Sequence, residues 1–208
     1  MMLRSIRDSP VLEWAWAGAA LDGAAESGDL QIVMPLPHGA LLAVIDGLGH
    51  GPEAAEAARD AASILSVDPT LPVAELFERC HEGLRRTRGV VMTLVALDAQ
   101  SSTIEWFGVG NVEGLLFHLD SGGLRSHQAV SARGGVLGYR LPRVKTTVTP
   151  ICRGDVLVLA TDGLRSEFSM EIALEWEPQA IADWLLQRYG RGTDDALVLV
   201  ARYVGATR

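Results

Sequence analysis

Four short segments of this chain place aspartate where an apolar run ends or a glycine-rich turn begins. They are Ser27-Gly28-Asp29, Asp46-Gly47-Leu48-Gly49-His50-Gly51, Thr161-Asp162-Gly163 and Thr193-Asp194-Asp195. Two of them follow strongly apolar stretches, Leu42 to Ile45 and Leu157 to Ala160. A carboxylate in that position is partly desolvated and needs an opposite charge nearby. Several such carboxylates converging would repel one another unless a cation sat among them. Ligation by oxygen alone selects hard cations such as Mg²⁺ or Mn²⁺. Taken singly, each segment reads more simply as a turn, because Asp-Gly is a common turn dipeptide. Asp29 also fits a turn cap, and Thr193-Asp194 fits a loop ahead of a last strand. The weight lies in the conjunction.

The residues around these aspartates narrow the chemistry. Gly47, Gly49 and Gly51 allow the backbone to approach a metal or an anion closely, and a helix start beyond them favours negative charge. His50 fits two roles, a proton shuttle or phosphate contact and a hydrogen-bonding brace for its loop, with the brace favoured. His38, His81, His118 and His127 lack the spacing of zinc ligands. An aspartyl-phosphate mechanism needs Asp-x-Asp-Gly, and Ile45-Asp46-Gly47-Leu48 lacks the second aspartate. No Gly-x-Ser-x-Gly elbow exists for a serine hydrolase.

The elements that must carry these segments follow from periodicity. Glu13 to Ala20 and Leu30 to Leu36 read as strands joined by an acidic turn, Asp22 to Asp29. Ala40 to Ile45 is a continuous apolar run, as in a strand buried on both faces. Pro52 opens a helix with early glutamates Glu53 and Glu56 and a small-residue face of Ala54, Ala58, Ala61, Ala62 and Leu65. Val73 to Arg86 reads as a second helix with Leu76, Phe77, Cys80 and Leu84 inward. Val90 to Leu97, Thr103 to Val109 and Gly114 to Leu119 read as an antiparallel meander. Lys145 to Thr149, Val156 to Ala160 and Ala196 to Tyr203 add strands. Pro178 opens a last helix with Ile181, Trp184 and Leu185 inward. Alternating Trp14 and Trp16 suit core packing in the first strand. Strands in runs with helices in separate blocks point to an α+β layered fold.

Composition bounds the rest. The 208 residues fit one domain over 1–208, and no low-complexity linker divides them. A net charge of −8 argues against nucleic acid and against an anionic membrane surface as partners. Cys80 and Cys152 each sit in an apolar-periodic segment and read as buried free thiols. Met1 to Pro10 lacks the apolar run of a signal peptide, and no stretch is long enough to span a bilayer. The expected location is the cytoplasm.

Together, Ser27-Gly28-Asp29, Asp46-Gly-Leu-Gly-His-Gly51, Ala160-Thr-Asp-Gly-Leu164 and Thr193-Asp-Asp-Ala-Leu-Val198 resemble the metal-dependent protein phosphatases of type 2C. Val91-Met-Thr-Leu94, Gly108-Val-Gly-Asn111 and Gly135-Val-Leu-Gly138 extend the likeness in the expected order over nearly the whole chain. Within that group it looks most like the bacterial branch typified by the sporulation stage II E and Rsb stress-response phosphatases, including the small stressosome feedback phosphatase. The resemblance implies a four-layer αββα sandwich of two antiparallel sheets flanked by helices. It also implies two divalent cations, Mn²⁺ or Mg²⁺, held by Asp29, Asp46, the Gly47 carbonyl, Asp162 and Asp194. Asp46 and Asp162 are the catalytic pair so implied, and Asp194 is preferred to Asp195 by family pattern. A water bridging the metals would then attack phosphoserine or phosphothreonine directly. The expected substrate is a phosphorylated regulatory protein, of a stressosome-like scaffold or an anti-sigma pathway, served by a phosphatase with no attached sensor or anchor. A phosphoprotein-binding module without catalysis is the alternative, and a purely structural domain is a third reading. Two departures stand out. Val112-Glu113-Gly114 follows Asn111 where many relatives carry an Ala-Gly-His-Pro-like turn, and no N-terminal arginine offers itself to the substrate phosphate.

Overall fold

The computed structural model describes residues 11–21, 26–119, 125–170 and 172–205. Its centre is strand β3, Gly39–Gly47, formed by the apolar run that ends at Asp46. The two-residue period of a strand sends alternate side chains to opposite faces. Leu41, Ala43 and Ile45 accordingly join one buried cluster, while Ala40, Leu42 and Val44 join another. Continuous hydrophobicity here means burial on both sides, as the sequence predicts.

Around β3 a first sheet runs in the order β2 (Asp29–Leu36), β3, β4 (Val90–Asp98), β5 (Thr103–Val109) and β8 (Ala132–Arg133), with β9 (Thr147–Pro150) also pairing with β5. The second sheet runs β1 (Leu12–Ala19), β11 (Ala196–Tyr203), β10 (Val156–Ala160), β6 (Glu113–Leu119) and β7 (Arg125–Ala129). All pairings are antiparallel except β5 with β8. Helices α1 (Pro52–Val67) and α2 (Val73–Gly83) cover the outer face of the first sheet through Ala57, Ala58, Ala61, Leu65, Leu76 and Phe77. Helix α3 (Pro178–Tyr189) covers the second through Ile181, Ala182 and Leu185. Between the sheets lies a third cluster containing Leu42, Val44, Val95, Leu116, Leu159 and Leu199. The four-layer αββα sandwich is thus observed. Each Leu or Phe so buried contributes roughly 1.5–3 kcal/mol.

Several local expectations are corrected. β1 and β2 form as expected and, though consecutive in the chain, lie in different sheets, a point on which alternation is silent. The expected meander breaks after β5. Gly110 takes a positive φ of 95°, and the chain crosses to pair β6 with β10. Strands β7 and β8 escaped the sequence reading; β7 is the polar run Arg-Ser-His-Gln-Ala and lacks an apolar alternation. Helix α2 ends at Gly83, before the three arginines, and Leu84 closes it with an N–H bond to the Cys80 carbonyl. Cys152 is exposed in the turn before β10, whereas Cys80 is buried as expected. Trp184 is half-buried, edge-on to Trp176 and Tyr189. The Met1 to Pro10 reading and residues 22–25 of the acidic turn lie outside the described residues. Among the described residues no helix is long and apolar enough to cross a membrane.

Candidate active site

Strand parity decides where the first two aspartates go. Asp46 shares the face of β3 that carries Leu42 and Val44, which point between the sheets. Asp29 shares the corresponding face of β2 with Val33, and the two aspartates are direct register partners. Both carboxylates therefore stand at one edge of the sandwich, at the mouth between its two sheets. β10 and β11 end and begin at the same edge, which brings in Thr161-Asp162 and Asp194-Asp195.

Two glycines permit this convergence. A Cβ on Gly47 would lie 2.1 Å from the Ala54 carbonyl oxygen, and one on Gly163 would lie 2.0 Å from that of Asp195. Any side chain at either position would force the strand ends apart.

Asp29, Asp46, Asp162 and Asp194 all line one cavity of about 490 Å³, together with Leu48, His50, Asn111 and the glycine pair Gly134-Gly135. Gly47 lies behind that lining, buried, with its N–H donated to the Gly28 carbonyl at 3.0 Å. The aspartates are supported differently. Asp29 is buried and accepts a hydrogen bond from the Thr161 hydroxyl at 2.8 Å. Asp162 is exposed and accepts one from the Asn111 amide at 2.5 Å. Asp194 is exposed and takes the N–H of Asp195 at 2.9 Å.

Asp195 has another task. It is 4% exposed, and its two oxygens accept the backbone N–H groups of Leu21 at 2.8 Å and Gly28 at 2.7 Å. It clamps the segment that leads into Asp29. Asn111, Thr161 and Asp195 are the contributors that sequence reasoning left without a role. Asn111 lies in the Gly108-Val-Gly-Asn111 run, and its place directly after Gly110 at the end of an apolar strand was the available signal. His50 lines the cavity and is exposed, and its side chain makes no hydrogen bond among the described residues. The brace reading of His50 is therefore not what the structure contains.

The electrostatics are those of uncompensated negative charge. Burial pushes the Asp46 carboxyl up to about 8, and Asp29, Asp162, Asp194 and Asp195 push it the same way. Asp29 is pushed up to about 7, again chiefly by burial; the Thr161 hydroxyl pulls it back and the other three aspartates raise it. Among the described residues no three Asp, Glu, His or Cys side chains lie close enough together to hold a metal ion as they stand. An oxygen-rich donor set whose own charge resists ionisation fits a hard divalent cation, which would relieve both the desolvation and the repulsion.

The profile of stage II sporulation protein E (SpoIIE) matches residues 37–204. The chain belongs to the SpoIIE family. It is 27% identical over 124 residues to the phosphoserine phosphatase RsbX of Bacillus subtilis (strain 168), a match spanning 60% of each chain. It is 29% identical to a chain solved in work on the bacterial stressosome, a modular system adapted to control secondary messenger signaling. That likeness covers 92% of this chain and 99% of the other, with a TM-score of 0.81. RsbX solved in complex with magnesium shares the fold at 19% identity and a TM-score of 0.81, over 98% of this chain and 100% of that one.

The SpoIIE-family fold also accounts for the departure after Asn111. Val112 is 1% exposed, and its carbonyl accepts the Thr93 hydroxyl at 2.7 Å. Glu113 begins β6, and burial raises its pKa against the pull of Ser166 and His127. The segment returns directly to the core.

Proposed function

We propose that this chain is a metal-dependent protein serine/threonine phosphatase that hydrolyses phosphoserine or phosphothreonine by direct attack of water. The observation that carries the reading is the convergence of four aspartates, from four separated segments, on one cavity where burial and mutual repulsion raise Asp46 and Asp29. Two divalent cations, Mg²⁺ or Mn²⁺, would be held by Asp29, Asp46, Asp162 and Asp194, with Gly47 supplying a backbone carbonyl. When bound, such cations make water acidic and neutralise the phosphoryl oxygens.

The chain's own residues prepare that site. Thr161 fixes the rotamer of Asp29, and Asn111 fixes that of Asp162. Asp195 anchors the loop before β2 so that Asp29 stays opposite Asp46. Among the described lining residues there is no Ser, Thr, Cys, Lys or Tyr to serve as a covalent nucleophile, which supports water as the attacking group. His50 is the one imidazole among the described lining residues.

The substrate we propose is a phosphorylated regulatory protein of a stressosome-like or anti-sigma pathway. The RsbX and stressosome likenesses support it. Hydrolysis of a phosphoserine protein with Mn²⁺, with a chelator, and by Asp46→Asn tests the reading. Turnover that requires metal and vanishes in the variant is expected. Metal binding without turnover on any phosphoprotein would favour the binding-module alternative.

A further inference from the structure

Charge is distributed unevenly along this acidic chain. Residues 121–154 contain six Lys and Arg and no Asp or Glu, while the remainder holds 12 Lys and Arg against 26 Asp and Glu. Three residues of this segment, Gly134, Gly135 and Val136, line the acidic cavity. Arg133 precedes Gly134 and Gly135, both lining residues. A Cβ on Gly135 would lie 2.7 Å from the Arg140 carbonyl oxygen and 2.7 Å from Pro142, so the chain from Arg140 onward packs directly behind the rim.

The segment is rigid where it lines the cavity. Val136 and Arg140 exchange backbone hydrogen bonds at 3.0 and 2.8 Å, and Leu137 and Val90 do so at 2.9 and 3.2 Å. Leu137 is fully buried, and the Gly138 N–H donates to His81 Nδ1 at 3.1 Å. Its cations are free, in contrast. Arg133, Arg140, Arg143 and Lys145 are exposed and have no carboxylate partner among the described residues. Arg88, beside Gly49, is instead paired with Glu53 at 2.5 Å.

Unpaired cations in one segment, two of them (Arg133 and Arg140) on hydrogen-bonded backbone, beside an anionic cavity form a bipolar surface. The cavity takes the phosphate once its charge is offset, and the neighbouring strap attracts whatever negative charge accompanies that phosphate. We propose that Arg133, Arg140, Arg143 and Lys145 form a cationic docking strap that selects phosphorylated segments carrying acidic residues beside the phosphate. The proposal rests on the phosphatase reading.

The test uses the full chain with Mn²⁺ and phosphoserine peptides of equal length with acidic, neutral or basic flanks, beside p-nitrophenyl phosphate. The wild type is compared with a variant carrying Arg133→Gln, Arg140→Gln, Arg143→Gln and Lys145→Gln, and with Lys145→Gln alone should the fourfold variant fold poorly. The wild type should favour acidic flanks by about tenfold or more in kcat/KM, mainly through KM, and lose that preference in high salt. The fourfold variant should lose it at low salt while hydrolysing p-nitrophenyl phosphate at the wild-type rate; Lys145→Gln alone should lose part of it. No preference in the wild type, or an unchanged preference in the folded variants, overturns the strap. If no substrate turns over, the phosphatase reading fails instead, and anisotropy with the same labelled peptides decides the strap. Weaker binding of the acidic-flanked peptide by the variant upholds it, and equal binding overturns it. Single-stranded DNA bound more tightly than that peptide would also overturn it.

Discussion

Strand β10 is flanked by aspartates at both ends, and the fold treats them in opposite ways. Asp155, just before the strand, is 2% exposed; it accepts the Cys152 N–H at 2.7 Å and faces His118 Nδ1 at 2.8 Å. Asp162, just beyond the other end, is exposed in the cavity with one amide donor from Asn111 and four further aspartates lining the same cavity. One end of the sandwich is closed by satisfying its charge and the other is left open with charge in excess. The closed end stabilises the fold. The open end stores repulsion that a bound cation relieves.

That contrast can be broken most forcefully at Asp46. Asp46→Asn should lower metal-dependent phosphatase turnover by roughly 10³-fold, the several kcal/mol that a metal contributes to transition-state charge. The same variant should melt higher than the wild type in chelator, because it removes a buried and repelled carboxyl. A metal-free melting temperature below wild type would show that the open end is not under electrostatic stress.

The pH dependence of the metal-free protein sharpens the same point. Asp46 is pushed from its ordinary 3.8 up to about 8, so the folded chain holds a proton that the unfolded chain releases. Its contribution to stability is therefore fully present below pH 4, falls as pH rises towards 8 and is level above that. Denaturant titrations from pH 5 to 9 should record that decline in chelator, and stabilisation by Mn²⁺ should grow over the same interval.

Asp195 tests the opposite behaviour within the acidic edge itself. Asp195→Asn should destabilise the metal-free protein by about 2–3 kcal/mol, since the new amide cannot accept both the Leu21 and Gly28 N–H groups. Chemical denaturation set beside Asp46→Asn should give shifts of opposite sign. Thr161→Val should cost less, about 1–2 kcal/mol, through the hydrogen bonds to Asp29 and from the Leu197 N–H. It should also raise the Mn²⁺ concentration needed for half-maximal turnover. The smallest effect belongs to a solvent-facing pair on a helix surface. Arg79→Ala, which removes the exposed bond to Glu75 on α2, should change stability by less than about 0.5 kcal/mol.

Much of this was legible in the sequence. Strands β10 and β11, the Pro52 and Pro178 helix starts and the inward residues of α2 follow from periodicity and from proline at a first turn, both of which are local properties. So does the placing of Asp29 and Asp46 at strand ends. The sequence could not separate Asp194 from Asp195, because adjacent aspartates look alike until the Leu21 and Gly28 N–H groups are brought to one of them from over 160 residues away in the chain. It could not send β1 and β2 to different sheets or end the meander at Gly110, because alternation encodes which face is buried and is silent about the neighbour.

The sequence by itself determined the kinds of element, their buried faces and the identity of the four acidic segments, since these depend on residue type and on spacing along a few turns. Tertiary structure alone decided that β2, β3, β10 and β11 share an edge and that Asp195 braces while Asp46 stands uncompensated. Those outcomes depend on strand pairing between distant segments, where the energy of desolvating a carboxylate is set by whatever the fold happens to bring beside it.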